Sequence, residues 1–520
     1  MTTNNIIVLC AFIAYMIIMI VIGFVCSKGN KNNEDYFLGG RNLGSWTALS
    51  AQASDMSGWL LMGLPGAVYL AVTGEAWIAV GLLIGTILNW YIVSARLRKY
   101  TIVAGNSLTI PSFFKNRYRD HKNIIKIVSA SIIAVFFTVY TASAFSSGAK
   151  LFATLFSDSA SGDENYNQVY VIGLIVAAVV ILVYTFMGGF KAVCTTDLIQ
   201  GLMMIVAILS VPVLAYAILT FDTGFSSALA AKGVEQPAQF LNFFVNGDGT
   251  PVSAVSIISN LAWGLGYFGM PHILVRFMAV KSNEEIKKSR KIAVVWVIIS
   301  LTASCLIGLI ARGYLTAQLD DATSESVFIR TIQQLFSGNG VLIFIGGIFL
   351  CGILAAIMST ADSQLLVTAS AVSEDLYKGA VKKNASEKSS LLVGKIAVAV
   401  VAVIAFFIAL NPKSSIMGLV SDAWAGFGSA FGPVVLLALF WKRSTLSGAI
   451  SGMATGALTV IIWDYIPLVN GQTLYAATNL YSLVVGFGLA LIVNVIVSLL
   501  SKKPSKEIMD EFDSIKNIEV

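Results

Sequence analysis

One carboxylate stands where the chain is otherwise almost uniformly apolar. Asp55 lies in the run Ala53-Ser54-Asp55-Met56-Ser57-Gly58-Trp59, about nine residues into a hydrophobic stretch. At the helical rise that is about 14 Å from its end. A carboxylate at such a depth in a bilayer costs at least a few kcal/mol, and intramembrane acids as a rule face a cavity or an ion path. A second cluster is uncharged. Ala356, Ser359 and Thr360 stand at i, i+3 and i+4, on one helical face. Hydroxyls and free carbonyls are the oxygen donors that a hard cation such as sodium takes. Taken alone, the same Ser and Thr would more often bond back to their own helix or join two helices.

The elements that must position these groups are membrane helices. The 520 residues are 57% hydrophobic and only 12% charged, against about a quarter charged in soluble domains. Thirteen apolar stretches are long enough to span roughly 30 Å of hydrocarbon: 6–27, 45–72, 75–97, 124–156, 168–187, 194–219, 252–271, 291–312, 338–361, 390–410, 415–441, 447–464 and 475–500. The second contains Gly58 and Gly63-Leu64-Pro65-Gly66. The seventh contains Gly264-Leu265-Gly266-Tyr267-Phe268-Gly269-Met270-Pro271. Gly and Pro at this density weaken a helix, and inside a bilayer unwound backbone survives only where protein or a watery cavity receives it. A matching pair of interrupted spans points to a transporter's central site. Their separation of five spans predicts an all-α polytopic protein with two inverted five-helix repeats. One transmembrane domain would then cover 1–500: a leading helix 6–27, repeats 45–219 and 252–441, and two final helices in 447–500. A cytoplasmic tail, 501–520, would follow.

Charge distribution predicts the orientation. With the N-terminus outside, the basic residues fall on the inner side, all but Lys150, Lys232, Arg312, Arg330 and Lys413 of the 34. The outer loops 157–167 and 313–326 are acidic. This bias places the N-terminus outside and the C-terminus in the cytoplasm. The first span lacks a basic start and a small-residue cleavage site, so it reads as a retained helix. No Lys or Arg falls mid-membrane within these bounds. Five cysteines without a CxxC pair and only two histidines, His121 and His272, make a disulfide framework, a zinc site or an acid–base enzyme poor readings. No basic stripe suggests nucleic acid.

Several runs resemble the sodium:solute symporter family, in particular its bacterial sodium/proline symporters. They are Leu49 through Gly66, Trp263-Gly264-Leu265-Gly266-Tyr267-Phe268-Gly269, Pro271-His272-Ile273-Leu274, Arg276-Phe277-Met278, Ala355 through Thr360, Gln364-Leu365-Leu366-Val367, Glu374-Asp375-Leu376-Tyr377-Lys378, Ala423 through Gly428 and Phe431-Gly432-Pro433-Val434-Val435. They are collinear, and the similarity extends from about residue 6 to about 500. The resemblance implies the inverted-repeat amino-acid-transporter fold and Na+-coupled symport of L-proline across the bacterial plasma membrane. No cofactor beyond the coupling ion and no obligate protein partner is implied. It also implies site residues. The carbonyls of Ala53, Met56 and Ala356 and the hydroxyls of Ser359 and Thr360 would hold Na+, supported by Asp55. Ser57, Gly58, Trp59, Tyr140, Trp263, Tyr267 and Pro271 would face the substrate. Arg41 and Asp197 match positions on the cytoplasmic side of the path, although Arg41 reads equally as an ordinary inner anchor. Proline suits such a pocket, because backbone amides at a half-helix N-terminus can meet its carboxylate and aromatic faces its ring.

Two acids depart from the family pattern. Asp362 is expected to be solvated at the inner end of its span, and Asp422 to pair with a polar backbone turn near Gly426–Gly432. Other readings stay open: a sodium symporter for pantothenate, a sugar or a monocarboxylate, a cation channel, or a transporter-like sensor.

Overall fold

The computed structural model describes residues 2–27, 38–157, 163–187, 190–234, 236–246, 249–382 and 384–515. Lys28, Lys31 and residues 158–162 of the acidic loop 157–167, which entered the charge count, lie outside them.

The helices in chain order are α1 (Thr3–Ser27), α2 (Thr47–Asp55), α3 (Leu64–Ala71), α4 (Trp77–Leu88), α5 (Ser94–Val103), α6 (Ile110–Arg117), α7 (Ile124–Phe156), α8 (Glu164–Met187), α9 (Phe190–Asp222), α10 (Phe225–Ala231), α11 (Ala254–Ala262) and α12 (Pro271–Ala279). Then follow α13 (Asn283–Tyr314), α14 (Val327–Leu335), α15 (Gly340–Ser370), α16 (Glu387–Ala409), α17 (Ile416–Phe440), α18 (Leu446–Tyr465), α19 (Leu474–Thr478), α20 (Ser482–Leu500) and α21 (Lys506–Ser514). Among the described residues, eleven continuous helical runs are long and apolar enough to cross a membrane. One of them, Trp59–Val103, joins the C-terminal half of the second expected span to the third. The interrupted seventh, α11 with α12, completes the thirteen.

Polar caps start many of these helices. Thr109, Ser253, Ser282, Asn339, Ser386, Ser415 and Thr445 each accept a backbone N–H of the following first turn, which satisfies donors the helix itself leaves free. Large apolar side chains such as Ile17, Val213, Val295 and Ile396 point outward, where lipid and not water receives them. The last two spans, α18 and α20, pack together and are joined through a hairpin of β1 (Pro467–Val469) and β2 (Gln472–Thr473). Its turn is Asn470-Gly471, both at positive φ, the geometry of a type I′ hairpin.

Both expected breaks are present. The second span stops at Asp55, passes through Met56 at φ −84°, ψ 76°, and resumes as a π-helical turn over Trp59–Gly63 before α3. The seventh tightens into a 3-10 segment over Trp263–Phe268, then restarts at Pro271. The expected bounds of this span were too short. The chain continues as a fully buried half-helix to Ala279, so Arg276, which entered the charge count as an inner-loop residue, lies in the protein interior at 1% exposure. The ninth span likewise runs past 361, as α15 and a π-helical continuation over Ala371–Val381.

The tail forms structure of its own. Ser505 caps α21, whose Phe512 is buried. The guanidinium groups of Arg96 and Arg117 lie 4.9 and 5.2 Å from the Phe512 ring. Arg119 pairs with Glu507 and Glu511 at 3.1 and 2.5 Å, and Lys442 with Asp513 at 3.2 Å.

Candidate functional site

The first break ends on a carboxylate because α2 runs out of helical partners there. The backbone N–H of Met56 still reaches Gln52, but that of Ser57 turns back to the Asp55 carbonyl at 3.0 Å. The indole of Trp59 donates to the same Asp55 carbonyl at 2.9 Å. Ser57 is buried, and its hydroxyl accepts the Trp59 N–H at 3.4 Å. Gly58 packs so closely on α7 that a Cβ would collide with the side chain of Ser147. Met56 accepts the Trp296 indole N–H on its sulfur at 2.9 Å, and the Leu60 carbonyl accepts the Ser304 hydroxyl at 2.6 Å. Side chains of α13 thus hold the break, Ser304 through its backbone and Trp296 through the Met56 side chain.

Facing this break, α15 presents its hydroxyls. The Ser359 hydroxyl lies 3.1 Å from the Ala53 carbonyl and 3.2 Å from its own helix's Ala356 carbonyl. Thr360 Oγ1 is buried without a hydrogen-bond partner. Two carbonyls, one from each helix, therefore meet at the Ser359 hydroxyl. Rotation of the Ser359 hydroxyl proton away from the carbonyls would leave an all-oxygen cradle suited to a small hard cation. Asp55 is close in sequence to this cradle, and only one of its two oxygens is hydrogen-bonded, Oδ1 being buried without a partner. Oδ2 accepts the Tyr267 hydroxyl at 2.8 Å, and Oδ1 lies 3.8 Å from His272 Nε2.

The second break supplies rings. Trp263 stacks on Trp424 and Tyr481 at centroid distances of 6.3 and 5.4 Å, and Tyr267 meets Trp424 edge-on at 5.1 Å. Tyr140, on α7, meets the His272 ring edge-on at 6.5 Å. Pro271 is the first residue of α12, where its missing N–H costs nothing. Above Trp263 and Tyr481 opens a cavity of about 530 Å³, walled also by Glu75, Asp422, Asp464 and Tyr465. Asp422, expected to pair with a backbone turn near Gly426–Gly432, instead accepts the Tyr465 hydroxyl of α18 at 2.5 Å.

Asp197 and Arg41 fall elsewhere. Asp197 Oδ2, buried on α9, receives Arg276 at 2.7 Å and the Ser50 hydroxyl at 3.1 Å. Arg276 also donates to the Ser363 hydroxyl at 2.7 Å and the His272 carbonyl at 2.8 Å. Asp362 is fully buried beside this pair, its Oδ1 3.4 Å from the Ser363 hydroxyl, so the expected solvated position is corrected. The π-helical continuation of α15 carries the inner end of this span well beyond it. Arg41, at φ +50°, clasps the C-terminal end of α12: it donates to the Met278 carbonyl at 2.8 Å, the Ser107 carbonyl at 2.6 Å and Asn106 Oδ1 at 2.9 Å.

Sequence reasoning missed Arg276 and His272 as interior groups. They stand four residues apart, one turn of a single helix, a spacing that could have placed both on one buried face.

The sodium:solute symporter family model matches residues 36–456. The chain belongs to the sodium:solute symporter family. Sodium/proline symporters of Staphylococcus aureus strains JH9 and COL are each 43% identical over 514 residues, covering 97% of this chain and 94% of the relative. A solved structure of a Na+-coupled sialic acid symporter, in a substrate-bound outward-open state, shares the fold. Its TM-score is 0.72 at 20% identity, over 96% of this chain and 99% of that one. As in the rest of the symporter family, this is transport machinery and not an enzyme.

Proposed function

We propose that this chain is a sodium-coupled symporter that imports L-proline by alternating access, in the bacterial plasma membrane with its N-terminus outside. The observation that carries the coupling is the meeting of the Ala53 and Ala356 carbonyls on the Ser359 hydroxyl. A cation there ties α2 to α15 and so favours one arrangement of the first break. Met56 and Thr360 complete the proposed ligand set, and Asp55 supports it by its charge. Proline as substrate is supported by the sodium/proline symporters at 43% identity, and the residues assigned to it are the aromatic Trp59, Tyr140, Trp263 and Tyr267, with Ser57, Gly58 and Pro271 at the broken backbone. The inverted-repeat division 45–219 and 252–441 follows from the five-span separation of the breaks, and Asp197 with Arg41 belongs to the inward side.

The energetics suffice. One charge moving through 100 mV supplies about 2.3 kcal/mol, and a tenfold sodium gradient adds about 1.4 kcal/mol. A neutral zwitterion can then be accumulated roughly five-hundredfold.

Reconstituted protein should take up labelled proline several-fold faster with an inward sodium gradient than without. Equal rates would refute the coupling. Competition by pantothenate, sugars or monocarboxylates stronger than by unlabelled proline would refute the substrate.

A further inference from the structure

The third span has an irregularity that the transport reading does not use. Between α4 and α5 the helix widens to π geometry over Asn89–Val93, a distortion frequent at functional positions. Asn89 opens it, 1% exposed, and its amide donates to the Tyr267 carbonyl at 2.9 Å. That carbonyl needs an outside donor for a reason written in the sequence. Its helical partner four residues on would be Pro271, which has no N–H. At the other end of the same 3-10 segment, the Trp424 indole donates to the Trp263 carbonyl at 2.7 Å. Backbone contact leaves no slack between these anchors: a Cβ on Gly264 would collide with the Gly81 carbonyl, and one on Gly85 with Gly264. The segment is thus pressed against α4 and held at each end by one side-chain donor from an unbroken helix. Its rotation sets where the Tyr267 hydroxyl goes, and that hydroxyl sits on Asp55 Oδ2 at 2.8 Å.

We propose that Asn89 and Trp424 are positioning residues for transport: by holding the Tyr267 and Trp263 carbonyls they fix the unwound segment so that Tyr267 meets Asp55 and Trp263 closes the pocket. This rests on the function proposed above.

The test uses the full chain in proteoliposomes. Sodium half-saturation and proline KM are read from uptake, and sodium binding from intrinsic tryptophan fluorescence. Asn89→Ala should raise half-saturating sodium about fivefold to tenfold, the value of one buried hydrogen bond, with the maximal rate at saturating sodium within about twofold. Asn89→Gln, which keeps a donor, should restore part of it. Trp424→Phe, which removes the indole N–H together with the five-membered ring that carries it, should raise proline KM about fivefold or more. Because Asn89 acts through Tyr267, Asn89→Ala added to Tyr267→Phe should change sodium half-saturation less than twofold. Unchanged sodium dependence in Asn89→Ala, or its full effect repeated on the Tyr267→Phe background, overturns the role of Asn89. Unchanged proline KM in Trp424→Phe overturns that of Trp424, and decides alone if Asn89→Ala does not reach the membrane folded. Failure of the underlying function would appear in the wild-type protein itself, as proline uptake indifferent to sodium.

Discussion

The two broken helices are interrupted by different means and offer different chemistry. The first gives up its ladder abruptly at Asp55 and leaves carbonyls, hydroxyls and a carboxylate around a two-residue gap. The second tightens gradually through six residues of 3-10 helix, carries no charge within them, and presents aromatic rings. Oxygen donors gather at one break and apolar faces at the other, and the hydrogen bond from Tyr267 to Asp55 joins them. A coupled transporter needs such a division, since ion and solute must be sensed by parts that respond to one another. The flanking helices differ too. α12, which follows the second break, carries Arg276, locked to Asp197 on α9, whereas α2, which precedes the first, carries no basic residue.

Removing that charge should give the largest effect. Arg276→Ala leaves Asp197 buried and unpaired, which costs about 3–5 kcal/mol of stability. A sharp fall in the thermal unfolding temperature of purified protein is the expected result, and Arg276→Gln combined with Asp197→Asn should recover most of it. Next comes the contact between the breaks. Asp55→Asn should lower sodium-dependent uptake on the order of a hundredfold, the loss of a charged hydrogen-bond acceptor near the ion, while proline binding at very high sodium survives. The division itself is sharpened by a pair of variants. Ser359→Ala should raise half-saturating sodium on the order of tenfold, and Trp263→Ala should raise proline KM with little change in sodium half-saturation. If both variants shifted both parameters alike, ion and solute would not be handled at separate breaks. The last effect is steric and is read on stability alone. Gly58→Ala should lower stability by about 1–3 kcal/mol through overpacking, with partial recovery when Ser147→Gly removes the side chain it meets.

Most of this architecture was legible in the sequence, because hydrocarbon imposes few solutions. Apolar length marked thirteen spans, and Gly58, Gly264, Gly266 and Pro271 marked the two breaks. The cradle at Ala53, Ala356 and Ser359 was reached through resemblance, since hydroxyls at i+3 and i+4 do not by themselves separate a cation site from helix packing. Arg276 was misplaced for a physical reason. Hydropathy treats a basic residue as the end of a span, but a charge neutralised by Asp197 can sit deep inside one. Asn89 was invisible for the opposite reason: its role depends on which carbonyl Pro271 leaves without a donor, and that pairing crosses from one span to another. Asp422 and Tyr465 lie 43 residues apart, beyond any local pattern.

The docked α21 has a consequence for the order of assembly. Arg96, Arg117, Arg119 and Lys442 all precede the ring and carboxylates of residues 507–513 that meet them. Until residues 507–513 have been made, those four side chains lack these partners, whatever the state of the helices that carry them. Docking of α21 therefore follows the synthesis of every helix it touches, and one short segment then fastens them to one another.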